Sequence, residues 1–251
     1  MTTFPGFTLP TLPPVELSRW LLEVFQTRVQ IHYKAPLPAH EGCLLVVSNH
    51  RSFLDAPALI WALHRPVHLV CHHYLAQVPG INELVRQLGG FHLGPGGQGW
   101  SRLFAEASCY LQSGSHVAIF PEGAQLITRE SYPNQGAPFR RGFAHLALRS
   151  GIADLAVVPV AVVSRREASG PLVPLWFLSL FDNREPTFKR PGWHPYVLYE
   201  QVEIVVGRAR RLTDSEVYRY RHGEAARVTT SLAEEMQKAA RQLTLDSQGS
   251  W

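Results

Sequence analysis

The chain has 251 residues, 45% of them apolar and 18% charged, a balance that folds around a core and excludes a disordered or fibrous chain. Lys and Arg outnumber Asp and Glu by 24 to 20, for a net charge of +4 and a pI near 9.1. That suits anionic lipid or an acidic carrier protein and is too weak for nucleic acid, for which neither a Lys/Arg tract nor zinc-finger spacing is present. Cys43, Cys71 and Cys109 are odd in number and contain no Cys-x-x-Cys pair, so neither a disulfide scaffold nor a zinc ribbon is indicated and reduced cytoplasmic thiols are expected. The N-terminus lacks a basic region leading into an apolar segment, so no signal peptide is expected. No apolar run reaches the ~18 residues of a membrane span. Any contact with membrane lipid is therefore expected from the cytoplasmic surface, as a peripheral protein.

Residues 1 to 14 carry Pro5, Pro10, Pro13 and Pro14 and read as an extended arm. Val15 to Gln30 predicts an amphipathic helix, with Leu17, Trp20, Leu21, Val24 and Phe25 recurring at helical spacing. That face packs on the core or lies in a bilayer interface, as a Trp-containing amphipathic helix can. After a Pro-rich loop from Ala35 to Gly42, the run Leu44 to Val47 predicts a buried strand that stops at Ser48-Asn49. A helix starts around Asp55-Ala56-Pro57, where a first-turn proline costs no hydrogen bond, and runs to Leu63. Val67 to Cys71 reads as a second buried strand. The histidines around it, His64, His68, His72 and His73, have no nearby carboxylate, and no metal site is expected.

Gly80 to Leu88 predicts a helix and Gly89 to Leu93 a strand. The following Gly94-Pro95-Gly96-Gly97 lacks both Gly-Lys-Ser/Thr and Gly-x-Gly-x-x-Gly, so it is not a nucleotide loop. Arg102 to Gln112 is helical in pattern and ends at Gly114. His116 to Phe120 is an apolar strand that delivers Pro121-Glu122-Gly123 at its end. A polar loop from Thr128 to Pro138, a helix from Gly142 to Ser150 and a strand from Leu155 to Val163 follow. This alternation predicts an α/β fold, a largely parallel central sheet flanked by helices, with the N-terminal amphipathic helix added. In the last third, Pro171 to Phe181 reads as a strand, an acyl-channel wall or a membrane-facing patch, and Tyr196 to Val206 as a strand. Ser215 to Leu243 reads as one or two helices opened by a Thr213-x-x-Glu216 capping box. One domain is expected over residues 1–251: arm and helix in 1–40, a catalytic core in 41–165, and C-terminal strands and helices in 166–251.

The chemistry gathers at two places. His50 falls in the strand-to-helix turn, with Asp55 five residues on. On a helix that spacing turns about 140° and separates the two side chains, but a turn can fold the carboxylate back onto the ring. A carboxylate on one ring nitrogen fixes the tautomer and leaves the other nitrogen as a general base. The plainer alternative is a surface His beside a capping Asp. The second place is the strand end at Phe120-Pro121-Glu122-Gly123. No Gly-x-Ser-x-Gly elbow exists, which argues against a serine hydrolase.

Taken together, Asn49-His50-x-x-x-x-Asp55 and Phe120-Pro121-Glu122-Gly123 resemble the glycerolipid acyltransferase family, the kind that acylates lysophosphatidic acid. Phe139-Arg140-Arg141-Gly142 and the strand Val157-Val158-Pro159-Val160-Ala161 fit the same pattern. The resemblance covers residues 40 to 165. It implies acyl transfer from a thioester, acyl-CoA or an acyl carrier protein, to a lipid hydroxyl, with His50 as base and Asp55 orienting it. Glu122 and its loop (Phe120, Pro121, Gly123) would hold the acceptor, with Arg140 and Arg141 on its phosphate, and no bound cofactor or metal. The chain departs from the family at two places. Gly94 stands where a phosphate-contacting arginine is usual, and Ala124-Gln125 where the family continues Thr-Arg. Arginine grips phosphate bidentately and glutamine cannot. Three readings stay open: transfer to 1-acylglycerol-3-phosphate, transfer to an acceptor without a phosphate monoester, and lipid or acyl-carrier binding without turnover. An esterase that activates water with His50 would release acyl groups without any acceptor.

Overall fold

The computed structural model describes residues 3–4, 7–8, 11–38, 42–71, 80–92, 99–123, 132–180 and 186–249. In chain order the strands are β1 (Thr3–Phe4), β2 (Phe7–Thr8), β3 (Arg28–Tyr33), β4 (Leu44–Ser48), β5 (Val67–Cys71), β6 (Gly90–His92), β7 (His116–Ile119), β8 (Ala156–Pro174), β9 (Trp193–Val206) and β10 (Arg210–Arg211). The helices are α1 (Pro14–Val24), α2 (Asp55–Leu63), α3 (Ile81–Gln87), α4 (Gly99–Gln112), α5 (Gly142–Arg149), α6 (Leu175–Leu178), α7 (Asp214–Arg219) and α8 (Ala225–Gln248).

The main sheet runs β3-β9-β8-β4-β7-β5-β6, with β10 against β8. Among the described residues five of its pairings are parallel, and β8 with β9 and β8 with β10 are antiparallel. β4 lies at the centre, all five of its residues are buried, and its alternation serves two cores. Leu44 and Val46 face α1 and α2 through Leu17, Leu21, Ala58 and Leu59. Leu45 and Val47 face α4, α5 and α8 through Leu111, Phe143, Leu146 and Met236. A strand covered on both faces reads as an unbroken apolar run, which is how Leu44 to Val47 reads.

Two sequence expectations are corrected. The helix predicted to Gln30 stops at Val24, and residues 28–33 instead form β3, the edge strand parallel to β9. The stop is a Schellman motif: Thr27 N–H donates to the Leu22 carbonyl (2.8 Å) and Gln26 N–H to that of Glu23 (3.0 Å), with Gln26 at φ 53°. Glutamine in the left-handed position, where glycine is usual, hid that stop. Most of the α1 apolar face goes to the core, although Val24 and Phe25 stay exposed. The strand predicted to end at Val163 runs on to Pro174, so Pro171 to Phe181 begins as the end of β8 and turns into α6. The N-terminal arm holds a short antiparallel pairing of β1 with β2.

β9 passes into β10 at Gly207. A Cβ there would sit 2.8 Å from the Pro159 carbonyl oxygen, so only glycine allows this approach. α7 opens with the capping box read from sequence, Thr213 and Glu216 bonding each other's backbone amides. Among the described residues no helix is long and apolar enough to cross a membrane.

Candidate active site

β4 and β7 are parallel neighbours with Val47 opposite Ile119. His50 and Glu122 each lie three residues past that pair, so both loops leave the same sheet edge at the same level. The carboxyl ends of parallel strands, where connections diverge to either side, are where open α/β sheets build their sites.

The turn after β4 folds Asp55 back onto the ring: His50 Nδ1 lies 2.8 Å from Asp55 Oδ2. The same oxygen accepts the backbone amides of Arg51 (2.6 Å) and Ser52 (2.8 Å). Asp55 Oδ1 accepts the Tyr199 hydroxyl at 2.7 Å. Asp55 is wholly buried and His50 retains a 15% exposed side chain. A carboxylate that accepts at both oxygens requires the His50 Nδ1 to carry its proton, which leaves the lone pair on Nε2. Among the described residues no group bonds Nε2. Phe120 fixes the ring plane from the β7 side, stacked at 3.9 Å between centroids and 13° from parallel.

Glu122 is a bridge. Its Oε2 accepts the His50 amide (2.9 Å) and its Oε1 that of Ala137 (2.8 Å), tying the His50 turn to segment 132–139. It is only 2% exposed, and burial raises its carboxyl above the ordinary range, opposed by those two amide bonds. Among the described residues no arginine pairs with Glu122; backbone amides fill its two oxygens. Gly123 adopts φ 70°, and the Arg140 guanidinium lies across it, 3.2 Å from where a Cβ would stand. Arg140 also anchors the loop through its amide, which donates to the buried Pro121 (2.9 Å). Arg141 is turned elsewhere, its Nη1 3.3 Å from Thr230 of α8. Gly94, Ala124 and Gln125 lie outside the described residues, as do His72 and His73.

Two residues, Tyr199 and Arg51, and the pairing made by Asn49 went unread in the sequence. Tyr199 comes from β9, 144 residues from the carboxylate it serves. Burial, then the Asp55 charge, pushes its hydroxyl well above the usual tyrosine value, so it stays a donor. Arg51, inside the motif, is buried in an ion pair with Glu167 of β8 (2.5 Å) and bonds the Tyr132 carbonyl (2.8 Å). Asn49 pairs with the Val162 backbone in both directions at 2.8 Å, joining the turn to β8. No local signal marks any of these partners, because each depends on strands that meet only in the sheet. A cleft of about 270 Å³ opens beside Glu122, between segment 134–139 and α8, with Asn49 and Gln237 among its walls.

The family model described as Acyltransferase matches residues 28–163, more than half of the chain and all of the His50 and Glu122 elements. The chain belongs to the acyltransferase family. The fold is similar to the crystal structure of PlsC, the 1-acyl-sn-glycerophosphate (LPA) acyltransferase from Thermotoga maritima. The TM-score is 0.54 at 17% identity, over 94% of this chain and 83% of that one. No curated protein matches the sequence. Tyr199 and Glu167 lie beyond the matched residues, so this acyltransferase completes its His50 turn with parts from outside the matched region.

Proposed function

We propose that residues 1–251 act as one acyltransferase unit that moves a fatty acyl group from an acyl thioester to a lipid hydroxyl. The donor is acyl-CoA or an acyl carrier protein, and 1-acylglycerol-3-phosphate is the leading acceptor. The observation that carries this reading is the buried, fully bonded Asp55 on His50 Nδ1, with no described residue bonding Nε2 at the sheet edge. Nε2 takes the acceptor hydroxyl proton as the oxygen attacks the thioester carbonyl. The tetrahedral intermediate then expels the thiolate, which receives that proton from the imidazolium. No bound cofactor or metal is needed, and no enzyme ester forms.

Glu122 supports acceptor binding through the lone pairs its two amide bonds leave over, and it is one of the residues lining the cleft. Arg140, lying over Gly123 in the same loop, is better placed for an acceptor phosphate than Arg141, which is engaged with α8. A second reading is favoured by Gly94 and Gln125, which stand where the family has arginines: the acceptor is a lysophospholipid diester, a glycolipid or another hydroxylated lipid. The enzyme would act peripherally on the cytoplasmic face of a membrane.

The test is an acceptor screen with a labelled long-chain acyl thioester, wild type beside His50→Ala. Transfer lost in His50→Ala while its fold is retained supports the mechanism, and the preferred acceptor decides between the two readings. Full activity of His50→Ala overturns the mechanism. Absence of transfer to every acceptor moves the protein to lipid or carrier binding, and acyl release without acceptor to an esterase.

A further inference from the structure

β8 runs parallel to β4, so it heads toward the edge that carries His50 and then continues far past it. Beside the catalytic turn it is still tied down: Glu167 holds Arg51, and the Ser52 hydroxyl donates to the carbonyl of Val197, the β9 partner of Ser169. From Ser169 to Pro174 the β8–β9 ribbon goes on for roughly 15 Å at the usual strand rise. It ends in α6 and a short 3-10 turn, Pro186–Lys189.

The described residues of that tip pack on one another. Leu175 and Phe188 are buried inside it, and the Leu175 amide bonds the Gly192 carbonyl at 3.0 Å. Yet Leu172 (62% exposed), Trp176 (63%), Phe177 (41%), Leu180 (70%) and Trp193 (56%) all face outward. Single exposed apolar residues are ordinary; five large ones on one small element mark a docking surface. Lys189 and Arg190, both exposed, lie within the same stretch, and the described residues of 171–194 include no Asp or Glu.

We propose that the tip of the β8–β9 ribbon inserts into the interface of an anionic lipid bilayer and holds the His50 edge over its lipid substrate. Tryptophan prefers the headgroup level, leucine and phenylalanine the acyl boundary, and flanking cations the anionic surface. The choice of a bilayer as occupant rests on the lipid-acceptor reading above. The position of the tip, beyond the same sheet edge as the catalytic turn, supports it independently.

The test is flotation of the full chain with vesicles of phosphatidylcholine alone and of phosphatidylcholine mixed with phosphatidylglycerol. Wild type is expected to float with both and more tightly with the anionic ones. The double variant Trp176→Ser, Leu180→Ser is expected to partition about tenfold less or weaker still, with an unchanged melting temperature. Equal flotation of the double variant, or no flotation of wild type, overturns the proposal. A wild-type dimer that the double variant dissolves also overturns it and assigns the patch to a second copy. His50→Ala should float as wild type does, and the double variant should acylate water-soluble short-chain acceptors at the wild-type rate. Tip-dependent flotation without any acyl transfer would sink the function proposed above and leave the membrane contact standing.

Discussion

Tyr199→Phe tests the claim that the Asp55 carboxylate is held by a group from outside the motif. The substitution removes one oxygen. Asp55 Oδ2 keeps its three partners, but Oδ1 loses its only donor among the described residues, in a site with no solvent exposure. A hydrogen bond to a charged acceptor contributes about 1.5–3 kcal/mol, so the variant should be less stable by that amount near pH 7. For a chain of this length this corresponds to a melting drop of roughly 3–12 °C. The pH dependence is more specific. The folded state raises the Tyr199 hydroxyl well above its usual value, through burial first and the Asp55 charge second. Such a group contributes stability that is fully present below the unfolded pKa of about 10 and is lost as pH rises beyond it. The wild-type advantage should thus shrink by about 1.4 kcal/mol per pH unit above pH 10. Urea titrations of both proteins between neutral and strongly alkaline pH measure this, and the other tyrosines cancel in the difference. The acyl-transfer rate should fall with it, chiefly in kcat, because His50 is oriented less firmly while the acceptor site is untouched. Equal stability of the two proteins near neutrality, or a difference constant through the alkaline range, refutes the reasoning.

Glu122→Ala strands the amides of His50 and Ala137 and should cost about 2–5 kcal/mol, with faster hydrogen exchange at both positions; unchanged protection there would contradict the bridging role. Glu216 is held at about 2, chiefly by its hydrogen bonds with Arg210. A depressed carboxyl contributes stability above its unfolded value of 4.5 that disappears as pH falls toward 2. Glu216→Gln keeps a capping box but loses the ion pair. Wild type should therefore exceed it by roughly 1–3 kcal/mol at neutral pH, a discount on the full shift for partial exposure, and by nothing near pH 2. Denaturant midpoints across that range check the sign.

Residues close in sequence were the legible ones. An apolar run, a proline at a helix start and a Thr-x-x-Glu box each act within a few residues, and β4, α2 and the start of α7 lie where those signals put them. The His50 and Glu122 motifs were equally readable, because each is a short segment at a strand end. The termination of α1 was not, since Gln26 takes the left-handed position without glycine's signature. Nor was the reach of β8, whose polar and glycine-containing stretch from Ser164 to Gly170 is a strand only because β9 pairs with it. The same dependence governs the site. Which residue types could do the chemistry was set along the chain, by a His and an Asp five apart in a turn. That Asp55 is buried and satisfied by Tyr199, that Arg51 is neutralised by Glu167, and that Glu122 bonds the His50 amide were decided by strands 70 to 145 residues apart coming side by side. Hydrogen bonds and ion pairs are made across space, and only the folded sheet supplies the distances.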